Sequence, residues 1–167
     1  MRANTDSRIP NARALALLRI SVGVLFLIFA EYKVFGTKFT LHGGFEFWIN
    51  RFLQQGGAYP FIAPVLRQFV LPHAHLIAFL VAYGELAIGI ALTLGIWVRR
   101  ASAFGMLYML TLLFSSNYPG AGAPLWQYFG ASLEHSVLAL CFVAFLVGES
   151  DSVWAVGPSA GDRRIHS

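Results

Sequence analysis

Charged residues and cysteines are scarce in this sequence, and each shortage excludes a class of protein. Asp, Glu, Lys and Arg make up 12% of the 167 residues, whereas an average soluble domain has about 25%. So few charges leave too little polar surface to cover a globular domain in water. Cys141 is the only cysteine, which excludes an internal disulfide, a CxxC redox pair and a cysteine-ligated iron–sulfur cluster.

Apolar residues make up 57% of the chain and fall into four long runs. A helix needs about 20 largely apolar residues to cross a bilayer, and the predicted spans are 14–35, 72–97, 99–117 and 128–147. The first run is longer than the apolar part of a secretory signal and no A-x-A-like cleavage site follows it, so we expect it to be retained. The sequence therefore predicts an all-α integral membrane protein, with one four-helix transmembrane bundle over residues 1–150.

The segment between the first and second spans is too long for a bare connection. Within 43–71, apolar residues recur twice at helical spacing, before and after the breaker GGAYP. This pattern predicts two short amphipathic helices in the outer interface. They form either a cap that packs on the bundle or a gate for a substrate.

The positive charges predict the orientation of the bundle. Arg99 and Arg100 form the turn between the second and third spans, other arginines precede the first span, and Arg163 and Arg164 lie in the tail 151–167. Because basic residues accumulate on the cytoplasmic side of a membrane, both termini are predicted to be cytoplasmic. No basic patch has the aromatic spacing that is typical of nucleic-acid binding.

Two charges fall inside the predicted spans. Glu85 stands near the midplane of the second span, where a charge costs about 2.5–3.5 kcal/mol unless it is paired or neutralised. Arg19 lies in the inner half of the first span, and its long stem predicts an Arg19–Glu85 ion pair. Small residues on the same faces, including Gly23 and Gly89, predict close helix approach. The pair either locks two helices together or lets Glu85 relay protons.

A second polar group is predicted in the outer leaflet. It comprises Glu31, Lys33, His73, His75, Glu134 and His135. A histidine beside a carboxylate in an apolar cleft can hydrogen-bond a quinone oxygen and exchange its proton. Glu134 and His135 are the main candidates, with His75 and Glu31 as further quinone contacts. The alternative for His73 and His75 is that they are interfacial residues at a helix start.

Haem and metal are weaker interpretations of these histidines. Haem ligation by His75 and His135 requires two imidazoles that face each other at the same depth, and no C-x-x-C-H motif is present. A metal site requires three or four clustered ligands. We therefore expect no intrinsic haem, flavin, iron–sulfur cluster or metal.

Two stretches resemble the DoxX family. LLRISVGVLFLIFAEYKVFG resembles the family's opening helix, and GELAIGIALTLGIWVRRAS resembles its second-helix pattern. The residues that carry the resemblance are Leu17, Leu18, Arg19, Gly23, Phe26, Lys33, Glu85, Gly89, Leu94, Gly95, Arg99 and Arg100. The resemblance covers about 14–147, and the insert with interfacial helices is most similar to the DoxD branch, the small membrane subunit of thiosulfate:quinone oxidoreductase.

The resemblance implies a quinone-linked redox subunit in a bacterial-type inner membrane. Electrons from thiosulfate, or another small sulfur donor, would reach the quinone pool with the help of a partner subunit. Glu134 and His135 would bind the quinone and exchange its protons, while Arg19 and Glu85 would hold the bundle or pass a proton inward. The alternative is a non-catalytic accessory or scaffold subunit of a larger respiratory or photosynthetic complex.

Overall fold

A computed structural model describes residues 8–130, 133–148 and 150–156 of the chain. These residues form seven helices and no strand, which confirms the predicted all-α class. The helices are α1 Arg8–Phe35, α2 Gly44–Gln54, α3 Ala63–Val65, α4 Ala74–Leu94, α5 Val98–Ser116, α6 Leu125–Gly130 and α7 Leu133–Val147, and a π-helical segment, Leu66–Val70, extends α3. Most of the predicted tail, including Arg163 and Arg164, lies outside the described residues.

By length and composition, two described helices can cross a membrane. These two helices are α1, over Asn11–Phe35, and α4. The α7 helix is also apolar but shorter. The α5 helix is 19 residues long and carries Arg99 and Arg100 in its first turn, which lower its average hydropathy. The predicted third span is therefore a helix, but a less apolar one than α1 or α4.

The four long helices pack in two antiparallel pairs. The most extensive contacts join α1 to α4 and α5 to α7, and α4 packs on α5 to connect the pairs. At the α5–α7 contact, a Cβ atom on Gly105 would lie 2.3 Å from the ring of Phe142. Only a glycine at this position leaves room for the phenylalanine, which is fully buried.

The segment between α1 and α4 forms a cap over one end of the bundle. The two helices predicted within 43–71 are α2 and the α3–π segment, and their buried residues include Phe45, Ile49 and Leu66. The backbone of Tyr59 donates to the Phe114 carbonyl at 2.9 Å, which ties the cap to α5. Burial, followed by the charges of two neighbouring tyrosines, raises the pKa of the Tyr59 hydroxyl.

Two apolar clusters fill the interior, one at each end of the bundle. The cluster under the cap comprises Phe39, Phe45, Ile49, Ala58, Leu66, Ala78 and Ala82. The second cluster lies toward the α4–α5 turn and comprises Val22, Phe26, Ile88, Leu92, Val98, Ala101, Met109, Ala139, Phe142 and Phe145. Along α4, Glu85 lies between Ala82 of the first cluster and Ile88 of the second. The buried carboxylate therefore lies at the junction of the two apolar clusters.

Candidate functional site

Glycines bring α1 and α4 into close contact. A Cβ atom on Gly23 would lie 2.7 Å from the backbone nitrogen of Thr93, and one on Gly89 would lie 3.0 Å from that of Leu27. Small residues of this kind allow two helix backbones to approach closely. The same contacts define the register of this antiparallel helix pair. A residue of α1 and a residue of α4 lie at the same level along the bundle when their numbers add up to about 115.

Gly23→Ala is expected to lower the free energy of unfolding by about 1–3 kcal/mol, because the added methyl group forces the two backbones apart. Gly84→Ala is the matched control, since a Cβ atom there meets nothing within 4 Å. The control should be neutral or stabilising by up to about 1 kcal/mol through helix propensity. Unfolding of both variants in detergent, followed by circular dichroism, measures the difference, and equal stabilities would contradict the close contact.

Glu85 is a buried carboxylate with only 5% of its surface exposed. Its Oε1 accepts hydrogen bonds from the Lys33 ammonium and the Tyr108 hydroxyl, so α1, α4 and α5 meet at one oxygen atom. Lys33 Nζ also lies 3.5 Å from the Tyr108 hydroxyl oxygen and 5.1 Å from the centre of the Phe39 ring. This cluster of Lys33, Glu85 and Tyr108 neutralises a charge that is shielded from water.

The predicted Arg19–Glu85 ion pair is wrong. Arg19 is fully buried, and its guanidinium donates to the carbonyl oxygens of Leu92 and Trp154, each at 2.7 Å. Its Nη1 lies against Gly95, about ten residues or roughly 15 Å further along α4 than Glu85. Lys33, at the other end of α1, is the cation that binds Glu85.

The direction of helical side chains explains both pairings. Side chains on an α-helix lean toward its N-terminus, so Lys33 reaches back from the end of α1 to the level of Glu85. Arg19, near the start of α1, leans the same way, which carries its guanidinium toward the carboxyl end of α4 and away from Glu85. The carbonyl groups of that last turn lack intrahelical donors and carry partial negative charge, and the Arg19 guanidinium binds one of them.

A cavity of about 490 Å³ adjoins the Lys33–Glu85 pair. Its polar lining residues are Lys33, Glu85, Glu134 and His135, and its apolar ones are Phe26, Phe29, Met109, Leu112 and Leu138. Three of the predicted site residues, Glu85, Glu134 and His135, therefore line one space. Phe29 is 61% exposed, so the cavity reaches the outer surface of the bundle.

The end of α5 positions His135. Asn117 directly follows α5, and its side-chain amide lies 3.1 Å from His135 Nδ1 and donates to Ser116 Oγ at 2.9 Å. The side-chain amide of Asn117 can donate to Nδ1, and the neutral tautomer that accepts there carries its proton on Nε2. Asn117 therefore contacts His135 on the Nδ1 side of the ring.

His75, Glu31 and Arg19 do not line this cavity. His75 borders a recess of about 10 Å³ beneath α2, which has room for about one water molecule, and Glu31 is exposed on α1. The ring of His73 lies 2.8 Å from the Phe69 carbonyl oxygen, immediately before α4, as its alternative interpretation as a helix-start residue predicts. Among the described residues, no three His, Cys, Asp or Glu side chains form a group that could hold a metal ion.

Two further cavities meet at the Lys33–Glu85–Tyr108 cluster. One, of about 340 Å³, lies under the cap and shares Lys33 and Leu112 with the first. Its lining is mainly apolar and comes from α2, α4 and α5. The other, of about 270 Å³, lies between α4 and α5 and shares Glu85 with the first cavity. Three cavities therefore border the polar cluster.

The sequence analysis places Lys33 in the outer polar group but does not pair it with Glu85, and it does not single out Tyr108 or Asn117. Lys33 carries a signal, because a lysine in the last turn of a span leans back toward the membrane interior. Tyr108 and Asn117 carry none, since their place in the site depends on how α5 lies against α4 and α7. An apolar run gives no information on that contact.

The DoxX family profile matches residues 14–117, which is more than half of the chain. The matched region contains Lys33, Glu85 and Tyr108, whereas Glu134 and His135 lie beyond it on α7. No curated protein and no solved structure matches the chain.

Proposed function

This chain belongs to the DoxX family of membrane proteins, and from that premise we propose that it is a multi-pass subunit that binds quinone and takes part in its reduction. The electron donor is thiosulfate or another small sulfur compound, which acts through a partner subunit in a bacterial-type inner membrane. The observation that carries the proposal is the cavity of about 490 Å³ in which Lys33, Glu85, Glu134 and His135 face an apolar wall.

In this proposal α1, α4, α5 and α7 all cross the bilayer. All four expose large apolar side chains, for example Ile28, Leu80, Leu107 and Leu140, and exposed apolar surface of this extent is typical of contact with lipid. The exposed Arg99 and Arg100 at the start of α5 favour the cytoplasmic side for that end of the bundle and for both termini. Access of an impermeant label from one side of sealed vesicles tests this orientation.

The residues of the cavity fit a quinone ring. Small-molecule sites commonly measure about 300–1,000 Å³ and combine apolar walls with a few polar groups. The Lys33 ammonium and His135 Nε2–H are donors that suit the two carbonyl oxygens of a quinone. The neighbouring apolar cavity under the cap shares Lys33 and gives an isoprenoid tail a path away from the polar groups.

Quinone reduction requires two electrons and two protons. The electrons leave the sulfur donor and arrive through the partner subunit. His135 and Glu134 deliver the protons: each group first takes up a proton from water, to form an imidazolium and a carboxylic acid, and then donates that proton to an oxygen of the reduced quinone. Lys33 orients the ring by donating a hydrogen bond to it, and Glu85 holds the Lys33 ammonium in place.

His135→Ala is expected to lower quinone affinity by about ten-fold. One hydrogen bond in a site without water contributes roughly 0.5–1.5 kcal/mol, and its loss leaves a quinone oxygen without a donor. The matched control is His75→Ala, which removes the same side chain outside the cavity. The measurements are quinone extracted from purified protein and titration with decylubiquinone by tryptophan fluorescence. Equal affinity of the two variants would contradict the proposed quinone site.

The alternative proposal is an accessory subunit of a larger membrane complex. Its support is the cap, whose aromatic side chains Phe47, Trp48 and Phe61 are all exposed and suit contact with a neighbouring subunit as well as lipid. This alternative predicts purification only within a large assembly, with quinone turnover of that assembly unchanged by His135→Ala.

A further inference from the structure

We propose that the α4–α5 turn and the segment that follows α7 form a binding surface for the anionic headgroup of a phospholipid. The surface combines two exposed arginines, Arg99 and Arg100, with two exposed tryptophans, Trp97 and Trp154, and we call these four residues the headgroup surface. It lies at the opposite end of α4 from the cap, and it does not depend on the proposed quinone site.

The segment after α7 folds back onto the end of α4 and brings Trp154 to the α4–α5 turn. The buried Arg19 guanidinium donates to the Trp154 carbonyl oxygen at 2.7 Å. The next residue, Ala155, packs on Gly95, where an added Cβ atom would lie 2.6 Å from the Ala155 Cβ. Because Gly95 precedes Trp97 by only two residues, both tryptophans lie at the same end of the bundle.

Both tryptophans have a left-handed backbone. The φ angle is 50° at Trp97 and 52° at Trp154, whereas a bulky residue normally avoids positive φ. The two residues are 72% and 57% exposed, so burial of the rings does not offset the strain. Strained positions of this kind are frequent where a side chain has a function. Exposed indoles on membrane proteins are enriched at the depth of the lipid headgroups, which is the function that we assign to them.

The two arginines supply a positive charge beside the indoles. The guanidinium carbon of Arg100 lies 5.8 Å from the centre of the Trp97 ring, and a guanidinium that stacks on a ring keeps its N–H edge for phosphate oxygens. Asp151 lies at the same end, but it is only 9% exposed and its charge attracts the buried Arg19. The exposed side of this surface is therefore cationic.

The chemistry of the headgroup decides which lipid complements this surface. Guanidinium groups bind phosphate through paired N–H bonds. Phosphatidylcholine carries its own cation beside the phosphate, whereas phosphatidylglycerol has a net negative charge. An anionic phospholipid therefore suits both parts of the surface, since its phosphate meets the arginines while its glycerol and upper acyl chains meet the indoles.

The test uses the whole protein with Trp48→Phe and Trp126→Phe, so that tryptophan fluorescence comes from Trp97 and Trp154 alone. The protein is reconstituted into phosphatidylcholine vesicles in which a fixed fraction of the lipid, either phosphatidylglycerol or phosphatidylcholine, has brominated acyl chains that quench nearby indoles. Brominated phosphatidylglycerol is expected to bind beside the tryptophans at least about ten-fold more tightly, because each arginine near an anionic lipid contributes roughly five-fold. High salt should reduce this preference by screening the charges.

Arg99→Gln with Arg100→Gln should abolish the preference, whereas Arg51→Gln with Arg67→Gln, at two exposed arginines of the cap, should keep it. Equal quenching by the two brominated lipids overturns the inference, and it is the result expected if the surface binds a protein subunit instead. A preference that persists without the two arginines of the turn also overturns it. The salt titration needs no arginine variant, and a preference that salt leaves unchanged would contradict a charge-based site.

Discussion

Lys33→Met is expected to lower the free energy of unfolding by about 3–5 kcal/mol, because it leaves the Glu85 carboxylate buried without its counter-ion. The side chains are 17% and 6% exposed, respectively, so water cannot replace the ammonium without entering the bundle. Methionine is similar in length to the aliphatic part of lysine, so loss of the charge is the main change. Unfolding in detergent, followed by circular dichroism, measures the effect.

A double variant separates two effects of Lys33→Met: loss of the attraction between Lys33 and Glu85, and burial of the Glu85 charge without a counter-ion. Replacing a buried ion pair by apolar residues of similar volume is often neutral or stabilising, so Lys33→Met with Glu85→Leu should recover most of the stability. The remaining loss is about 1–3 kcal/mol for the Tyr108 hydroxyl, which then has no acceptor. Lys38→Met removes an exposed lysine and is the control. A single variant as stable as the control would contradict the ion pair.

The same cluster has a structural role and, in the proposed function, a binding role. Hydrogen-bonding groups on α1, α4 and α5 meet at Glu85 Oε1 and join three helices, whereas the predicted helix lock paired Glu85 with Arg19. A variant that loses quinone binding while the bundle stays assembled distinguishes the proposed binding role from the structural one, and Glu85→Gln is the variant best suited to do so.

Much of the fold could be predicted, because helix class depends on local sequence. The predicted spans 14–35 and 72–97 correspond to α1 and α4, which end at Phe35 and Leu94, and 99–117 corresponds to α5. The two short helices of the cap follow from apolar spacing and a glycine-rich breaker. The predicted span 128–147 corresponds to the end of α6 together with α7.

The contacts of the site could be predicted only in part, because they depend on the register between helices. The Arg19–Glu85 prediction assumed that α1 and α4 begin and end at the same depths. The register places Phe35 opposite about residue 80 of α4, so α4 extends beyond α1 by roughly two turns at the cap. That offset brings Lys33 to Glu85. It arises from the Gly23 and Gly89 contacts, which a hydropathy profile does not show.

Arg19→Leu is expected to lower the free energy of unfolding by about 2–4 kcal/mol, since each hydrogen bond to a charged donor contributes roughly 1.5–3 kcal/mol. The variant leaves the carbonyls of Leu92 and Trp154 without this donor. Asp151, which is 9% exposed, also loses the attraction of the guanidinium. Arg99→Leu, at an exposed arginine, is the matched control and should change stability little.

Arg19 also holds the segment 150–156 against the carboxyl end of α4, where Val156 N donates to the Leu94 carbonyl at 2.8 Å. Ser150 is fully buried there, so a cysteine placed at that position in a Cys141→Ala background reports release of the segment. Arg19→Leu should speed its reaction with an impermeant maleimide by at least about ten-fold, because a loss of 1.4 kcal/mol in local stability opens a segment ten times more often. Quinone affinity should stay unchanged, since Arg19 lies roughly 15 Å from the level of Glu85. Loss of quinone binding with unchanged labelling would instead place Arg19 in the site.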